Sequence, residues 1–260
     1  MRCRLLLPAV FSLLWSPALF AAPIATPVEW TIGGDTFAGV LVYDDAVKQP
    51  RPGLVMVPNW KGVNDSAIEK ARLVAGDDYV VLVADVYGKG IRPKTDAEAG
   101  PVATAMRADR PKLRARVQKA VEVLKQQPGT LVDVTRIGAF GYCFGGSTVL
   151  ELVRAGDALS GVVSLHGGLA TDLPAAGPVK SPVLVLNGGD DTYVSAAEIT
   201  AFQDEMRKAG ADWQFVSFGG AVHCFAESDA QNPPGCVYHA PSARRAYRMM
   251  ADFFEDVFAK

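Results

Sequence analysis

Histidine and cysteine are scarce in this chain of 260 residues, numbering three and four. The histidines, His166, His223 and His239, form no i, i+4 pair and no H-E-x-x-H spacing, so the expectation is no metal and no cofactor. No C-x-x-C pair occurs, which removes the usual thioredoxin-like redox motif. Neither sign of charge dominates: 26 basic residues stand against 28 acidic ones, a net charge of −2. Nucleic acid and anionic lipid both favour a basic face, so no nucleic-acid partner is expected. There is no collagen-like or heptad periodicity, and no internal repeat. What is present is a hydrophobic fraction of 49%, enough to exclude a disordered chain and to build one large α/β core without disulfide or metal staples.

Residues 1–22 differ from the rest. Arg2 and Arg4 precede an apolar run from Leu5 to Leu14, and Ala21 and Ala22 close the segment. A basic start, a short apolar middle and a small-residue exit are the parts of a secretory signal peptide, with cleavage near Ala21 or Ala22. Pro8 and Pro17 bracket a stretch shorter than the roughly 20 apolar residues that span a bilayer, so no stable membrane insertion is expected after cleavage. The expected location is periplasmic or extracellular, and residues 23–260 form one domain. Cys3 leaves with the leader, and Cys143, Cys224 and Cys236 remain. Cys224 and Cys236 enclose a polar loop, where a local bridge and two unpaired thiols are equally compatible with the sequence.

Strand-like runs recur at Val28–Ile32, Phe37–Tyr43, Leu54–Val57, Tyr79–Val86, Arg136–Phe140, Gly161–Leu165, Pro182–Leu186 and Trp213–Phe218. Several are continuous in Val, Leu and Ile, as in strands buried on both faces of a mostly parallel sheet. Gly33, Gly34 and Asp35 separate the first two and mark an antiparallel hairpin. Between the later strands lie helical stripes, one of Leu113, Val117, Ala120, Val121 and Leu124 ended by Pro128 and Gly129, another from Ala243 to Phe258. A charged excursion after Gly88 holds a lid or cap helix over Thr95–Arg107. Alternation of strand and helix from residue 54 onward predicts an α/β fold with helices on both faces of the sheet.

Gly141, Cys143 and Gly145 form G-x-C-x-G between a strand and a helix start, a cysteine version of the nucleophile elbow. A thiol there sits at a helix N-terminus, whose dipole favours the thiolate, and the Phe144 backbone N–H can face a developing oxyanion. After the strand at 182–186 comes G-x-x-D-x-x-V, using Gly188, Asp191 and Val194; after the next strand comes Gly219-Gly220-Ala221-Val222-His223. Nucleophile, acid and base thus follow in the order of an α/β-hydrolase, each at a strand's C-terminal end. Asp190 is the competing acid, though the D-x-x-V spacing favours Asp191. His166 ends a strand within reach of the site and is expected to serve as a structural hydrogen-bonding group.

These motifs, with Pro58-Asn59-Trp60-Lys61-Gly62-Val63-Asn64 after an early strand, resemble the dienelactone hydrolase family over most of the chain. The resemblance implies an α/β-hydrolase fold with Cys143 as nucleophile, His223 as base, Asp191 as its orienting acid, and the backbone N–H groups of Trp60 and Phe144 as oxyanion hole. It also maps substrate-binding positions onto Asn59, Lys89 and Glu227. Dienelactone-cleaving members have a glutamate at the first, and arginines at the other two. A glutamate in place of an arginine argues against an unaltered preference for a small anionic lactone. The expected activity is hydrolysis of an ester, thioester or lactone through an acyl-cysteine. Two alternatives are a degenerate binding protein, motivated by Asn59 and Glu227, and a redox role for Cys143, favoured only if it pairs with Cys224 or Cys236.

Overall fold

The computed structural model describes residues 23–127 and 132–259. The expected leader over residues 1–22, and Pro128 and Gly129, lie outside them. Eight strands form one sheet: β1 (Ile24–Ile32), β2 (Asp35–Tyr43), β3 (Arg51–Val57), β4 (Val80–Val83), β5 (Val132–Tyr142), β6 (Gly161–Leu165), β7 (Val183–Gly188) and β8 (Trp213–Phe218). Their spatial order is β1-β2-β4-β3-β5-β6-β7-β8. β1 and β2 form the expected hairpin; β2 runs antiparallel to β4, and every pairing from β4 to β8 is parallel. This is the α/β-hydrolase arrangement.

The apolar continuity of the inner strands follows from helices on both faces. On one side α1 (Asp65–Ala75) and the long α6 (Ala240–Phe258) cover Leu54, Met56, Phe140 and Leu184. On the other, α2 (Asp96–Ala108), α3 (Arg110–Lys125), α4 (Phe144–Ala155) and α5 (Ala196–Lys208) cover Val55, Val57, Ala139 and Val185. The stripe read along α3 is the face that packs: Leu113, Val117, Ala120, Val121 and Leu124 are all buried. Each leucine or valine buried there contributes about 1.5–3 kcal/mol.

Several strands begin or end a few residues from the sequence expectation, as β1 at Ile24 and β3 at Arg51, and two of the differences have a clear cause. β4 ends at Val83 rather than Val86, because the Asp85 carboxylate turns the chain by accepting from the backbone N–H groups of Tyr87 and Gly88, at 3.0 and 2.9 Å. β5 begins four residues before Arg136: Val132 and Asp133 pair with Arg51 and Pro52, and the register with β3 then shifts past residues 134–136 before Ile137 pairs with Gly53. The helix expected over Thr95–Arg107 is α2. Thr95 is its N-cap in a capping box with Glu98.

Candidate active site

The C-terminal ends of β3, β5, β6, β7 and β8 open on one side of the sheet. The β5–α4 turn is held there by its glycines. A Cβ on Gly145 would run into the carbonyls of Val57 and Pro58, and one on Gly141 into the Gly145 carbonyl. Only bare backbone lets the elbow close against β3. Cys143 between them is forced to φ 53°, ψ −114°, a conformation costing a non-glycine residue about 1–3 kcal/mol. That strain lifts its side chain off the N-terminus of α4, where the thiol is free and half-buried.

His223 hydrogen-bonds both this thiol and, through Nδ1, the Asp191 Oδ2 at 2.8 Å. Burial disfavours the imidazolium, but these two partners and their charges outweigh it and hold the His223 pKa up at about 10. Asp191 is itself buried, and its other oxygen accepts from the Tyr193 N–H at 2.9 Å. Asp190 points to solvent, so burial decides between the adjacent carboxylates. The Tyr193 ring stands edge-on to His223 at 5.0 Å and shields the base from one side.

His166 lies behind the elbow, fully buried. Its Nδ1 accepts from the Cys143 backbone N–H at 3.2 Å, and burial, reinforced by the nearby His223, lowers its pKa well below the usual value. It therefore remains neutral and shares the Cys143 N–H with the Leu165 carbonyl, which accepts it at 3.0 Å, the structural part expected of it.

The early motif forms the opposite wall. Asn59 Oδ1 accepts from the Lys61 N–H at 3.1 Å, and the Gly62 N–H bonds the Asn59 carbonyl at 2.9 Å. The turn's own hydrogen bonds thus take up the N–H groups of Lys61 and Gly62 and leave that of Trp60 out. Glu227 also reaches this wall. Asn59 Nδ2 donates to its Oε2 at 2.5 Å, and Lys70 Nζ on α1 stands 3.3 Å from the same oxygen. Burial raises the Glu227 pKa, against the pull of Lys70 and Asn59. Asn59 and Glu227, the two positions that motivated a degenerate site, are thus partners of one another. Lys89 stands apart: it is half-exposed, pairs with Glu29 at 2.6 Å and does not line the active-site cavity.

That cavity, about 690 Å³, is lined by Cys143, His223, Trp60, Arg107, Tyr193 and Gln231 among others. One wall is the 224–236 loop, closed by a Cys224–Cys236 disulfide and bearing the short strands β9 (Gln231–Asn232) and β10 (Cys236–Val237). Because Cys224 and Cys236 bond each other and Cys143 is free, the condition for a redox role of Cys143 is not met. The sequence left this bridge open and did not announce the Glu227 contacts. The nearest signal was the presence of Asn59 and Glu227 together at unusual positions.

Comparison with known proteins agrees with this geometry. The profile of the dienelactone hydrolase family matches residues 37–258. The carboxymethylenebutenolidase of Pseudomonas putida is 28% identical over 234 residues, 87% of this chain and 94% of that one. An uncharacterized protein of Caenorhabditis elegans is 33% identical over 153 residues, 57% of this chain and 96% of that one. The crystal structure of the dienelactone hydrolase-like promiscuous phosphotriesterase P91 from metagenomic libraries superposes with a TM-score of 0.85 at 35% identity, covering 92% of this chain and 100% of that one. Cys143, His223 and Asp191 stand together at the strand ends of the sheet, and the chain is a hydrolase of the dienelactone hydrolase family with a Cys-His-Asp arrangement.

Proposed function

We propose that the protein is an exported hydrolase of uncharged esters, thioesters or lactones. The observation that carries this is the free Cys143 thiol on a left-handed N-cap, bonded to an imidazole that Asp191 orients. Below about pH 10 the proton of the pair sits on His223, and the Cys143 sulfur attacks the carbonyl carbon. The carbonyl oxygen becomes an oxyanion received by the N–H groups of Trp60 and Phe144. Collapse expels the alcohol or thiol, which recovers the proton from His223. Water, deprotonated by His223, then cleaves the acyl-cysteine and frees the acid.

An uncharged substrate suits the cavity because most of its cations are already engaged. Lys61 pairs with Asp96 at 3.0 Å, and Arg110 with Glu151 and Asp172 at 3.0 and 2.5 Å. Neither Lys89, bound to Glu29, nor Glu227 supplies a cation for a carboxylate. Export is supported by the leader-like residues 1–22 and by the Cys224–Cys236 bridge, which belongs to an oxidising compartment. Among the described residues no helix is long and apolar enough to cross a membrane.

The test is steady-state hydrolysis of short p-nitrophenyl esters. Cys143→Ala is expected to lose at least about 10³-fold in kcat/KM, and the wild type to yield an acyl adduct on Cys143 by mass spectrometry. Equal rates would reject the nucleophile. The likeness to the promiscuous phosphotriesterase P91 makes a neutral phosphotriester a second probe, and an anionic lactone turned over faster than neutral esters would reject the substrate class.

A further inference from the structure

Glu227 is not needed by the triad, yet it is almost completely buried, with 2% of its surface exposed. A buried carboxylate is costly unless its oxygens are satisfied, and each of these faces a different active-site loop. Oε2 accepts from Asn59 Nδ2 at 2.5 Å, and Asn59 in turn organises the turn that bears Trp60. Oε1 faces His166 Nε2 at 3.9 Å. The Cys143 N–H that reaches His166 Nδ1 at 3.2 Å also donates to the Leu165 carbonyl at 3.0 Å, so the ring packs directly behind the elbow. His166 Nε2 is fully buried and has no hydrogen-bond partner, and the Glu227 carboxylate is the group that faces it. Glu227 itself belongs to the loop beginning at His223, and its N–H bonds the Cys224 carbonyl at 2.9 Å.

The three loops that carry the triad's base, the elbow and the Trp60 turn therefore converge on one side chain. We infer that Glu227 is a positioning residue for the oxyanion hole: its buried carboxylate fixes the Trp60 turn through Asn59, at a point where it also lies against His166 behind the Cys143–Phe144 elbow. Trp60 and Phe144 come from different strands, and their N–H groups act together only if the two loops keep their spacing. A misplacement of about 1 Å in such a site costs on the order of 10²-fold in rate. The charge of Glu227 is compensated by Lys70, whose Nζ stands 3.3 Å from Oε2. The other titratable groups around it are Asp229 on its own loop, Tyr142 on β5 and Tyr247 on α6, whose hydroxyls bond each other at 2.9 Å.

This inference rests on the proposed acyl-cysteine mechanism, and its test separates the two. Hydrolysis of p-nitrophenyl acetate needs an oxyanion hole. Alkylation of Cys143 by iodoacetamide, at a saturated carbon, does not. In Asn59→Ala and Glu227→Ala, kcat is expected to fall on the order of 10- to 100-fold while KM and the alkylation rate stay within about 3-fold. Glu227→Gln retains an acceptor for Asn59 and should recover part of the loss. The double variant Asn59→Ala, Glu227→Ala should be no worse than the poorer single variant, since the two act as a unit. Should Glu227→Ala not accumulate as folded protein, Asn59→Ala and Glu227→Gln decide the matter. An unchanged kcat in Asn59→Ala, alkylation falling in parallel with kcat, or losses that multiply in the double variant would each overturn the inference alone, provided Cys143→Ala is inactive. Full activity in Cys143→Ala would overturn it together with the mechanism.

Discussion

The backbone N–H of Cys143 is shared between the Leu165 carbonyl at 3.0 Å and the ring of His166 at 3.2 Å, whose centroid lies 5.1 Å from that of His223 at an interplanar angle of 67°. Two histidines in one site thus have opposite electrostatic surroundings. His223 is bonded to groups that favour its cation, and His166 lies in a dry pocket beside that cation.

His166 should therefore remain neutral where an ordinary imidazole titrates. Its ring resonances are expected to stay constant between about pH 5 and 8, straddling the usual histidine pKa near 6.5. A folded-state pKa below the unfolded one means the unfolded chain binds protons first, so this residue contributes stability above about pH 6.5 that is lost as acid is added. Titration of its resonances near pH 6.5 would show that the pocket is not as dry as the structure has it.

Asp191 sets the opposite behaviour of His223. With the imidazolium held up to about pH 10, the alkaline limb of kcat/KM in the wild type should fall near that pH. Asp191→Asn removes a principal support, and the limb should move toward the ordinary imidazole value near about 6.5 with a large loss of kcat. An alkaline limb that does not move would assign the orienting role to another group. The same sign governs stability: the charged His223 supports the fold below its unfolded pKa, and that support declines as pH rises through about 10.

Glu151 anchors the helix that carries the elbow. It is completely buried in α4, with Arg110 and Arg114 from α3 at 3.0 and 2.8 Å and Arg154 one turn on at 3.0 Å. Removing one member of a buried ion cluster leaves the others uncompensated, typically at about 3–5 kcal/mol. Glu151→Ala should lose that much in urea denaturation, whereas a loss below about 1 kcal/mol would mean that solvent enters and rescues the arginines.

Cutting the disulfide by Cys224→Ala, Cys236→Ala releases a loop closed over a sequence separation of 12 residues. The loss is expected at about 2–3 kcal/mol. Because Glu227 lies inside this loop, kcat should fall with it. A variant of unchanged kcat would show that packing alone holds the loop, through bonds such as that from the Val237 N–H to the His223 carbonyl at 3.1 Å.

The sheet was legible because inner strands such as Val80–Val83 and Val183–Gly188 bury both faces and so read as unbroken apolar runs. α1 and α5 were not individually legible. α1 packs through Ala67, Ala71, Ala75 and the stem of Lys70, and α5 through Phe202 and Met206, too few large residues for a clear stripe. The triad could be read because its chemistry demands specific residues at strand ends. The environment of Glu227 could not: its partners Asn59, Lys70 and His166 lie on three separate segments, and only the folded chain brings them to one carboxylate.

One cavity here encloses two sulfur chemistries with opposite requirements. Cys143 must stay reduced to act, while Cys224 and Cys236 must stay oxidised for the loop beside it to remain closed. A reductant added to protect the nucleophile also unties the wall of its pocket, and a strong oxidant preserves the wall while capping the nucleophile. On the proposed mechanism, activity is expected within a band of ambient redox potential, bounded below by opening of the bridge and above by oxidation of the thiol.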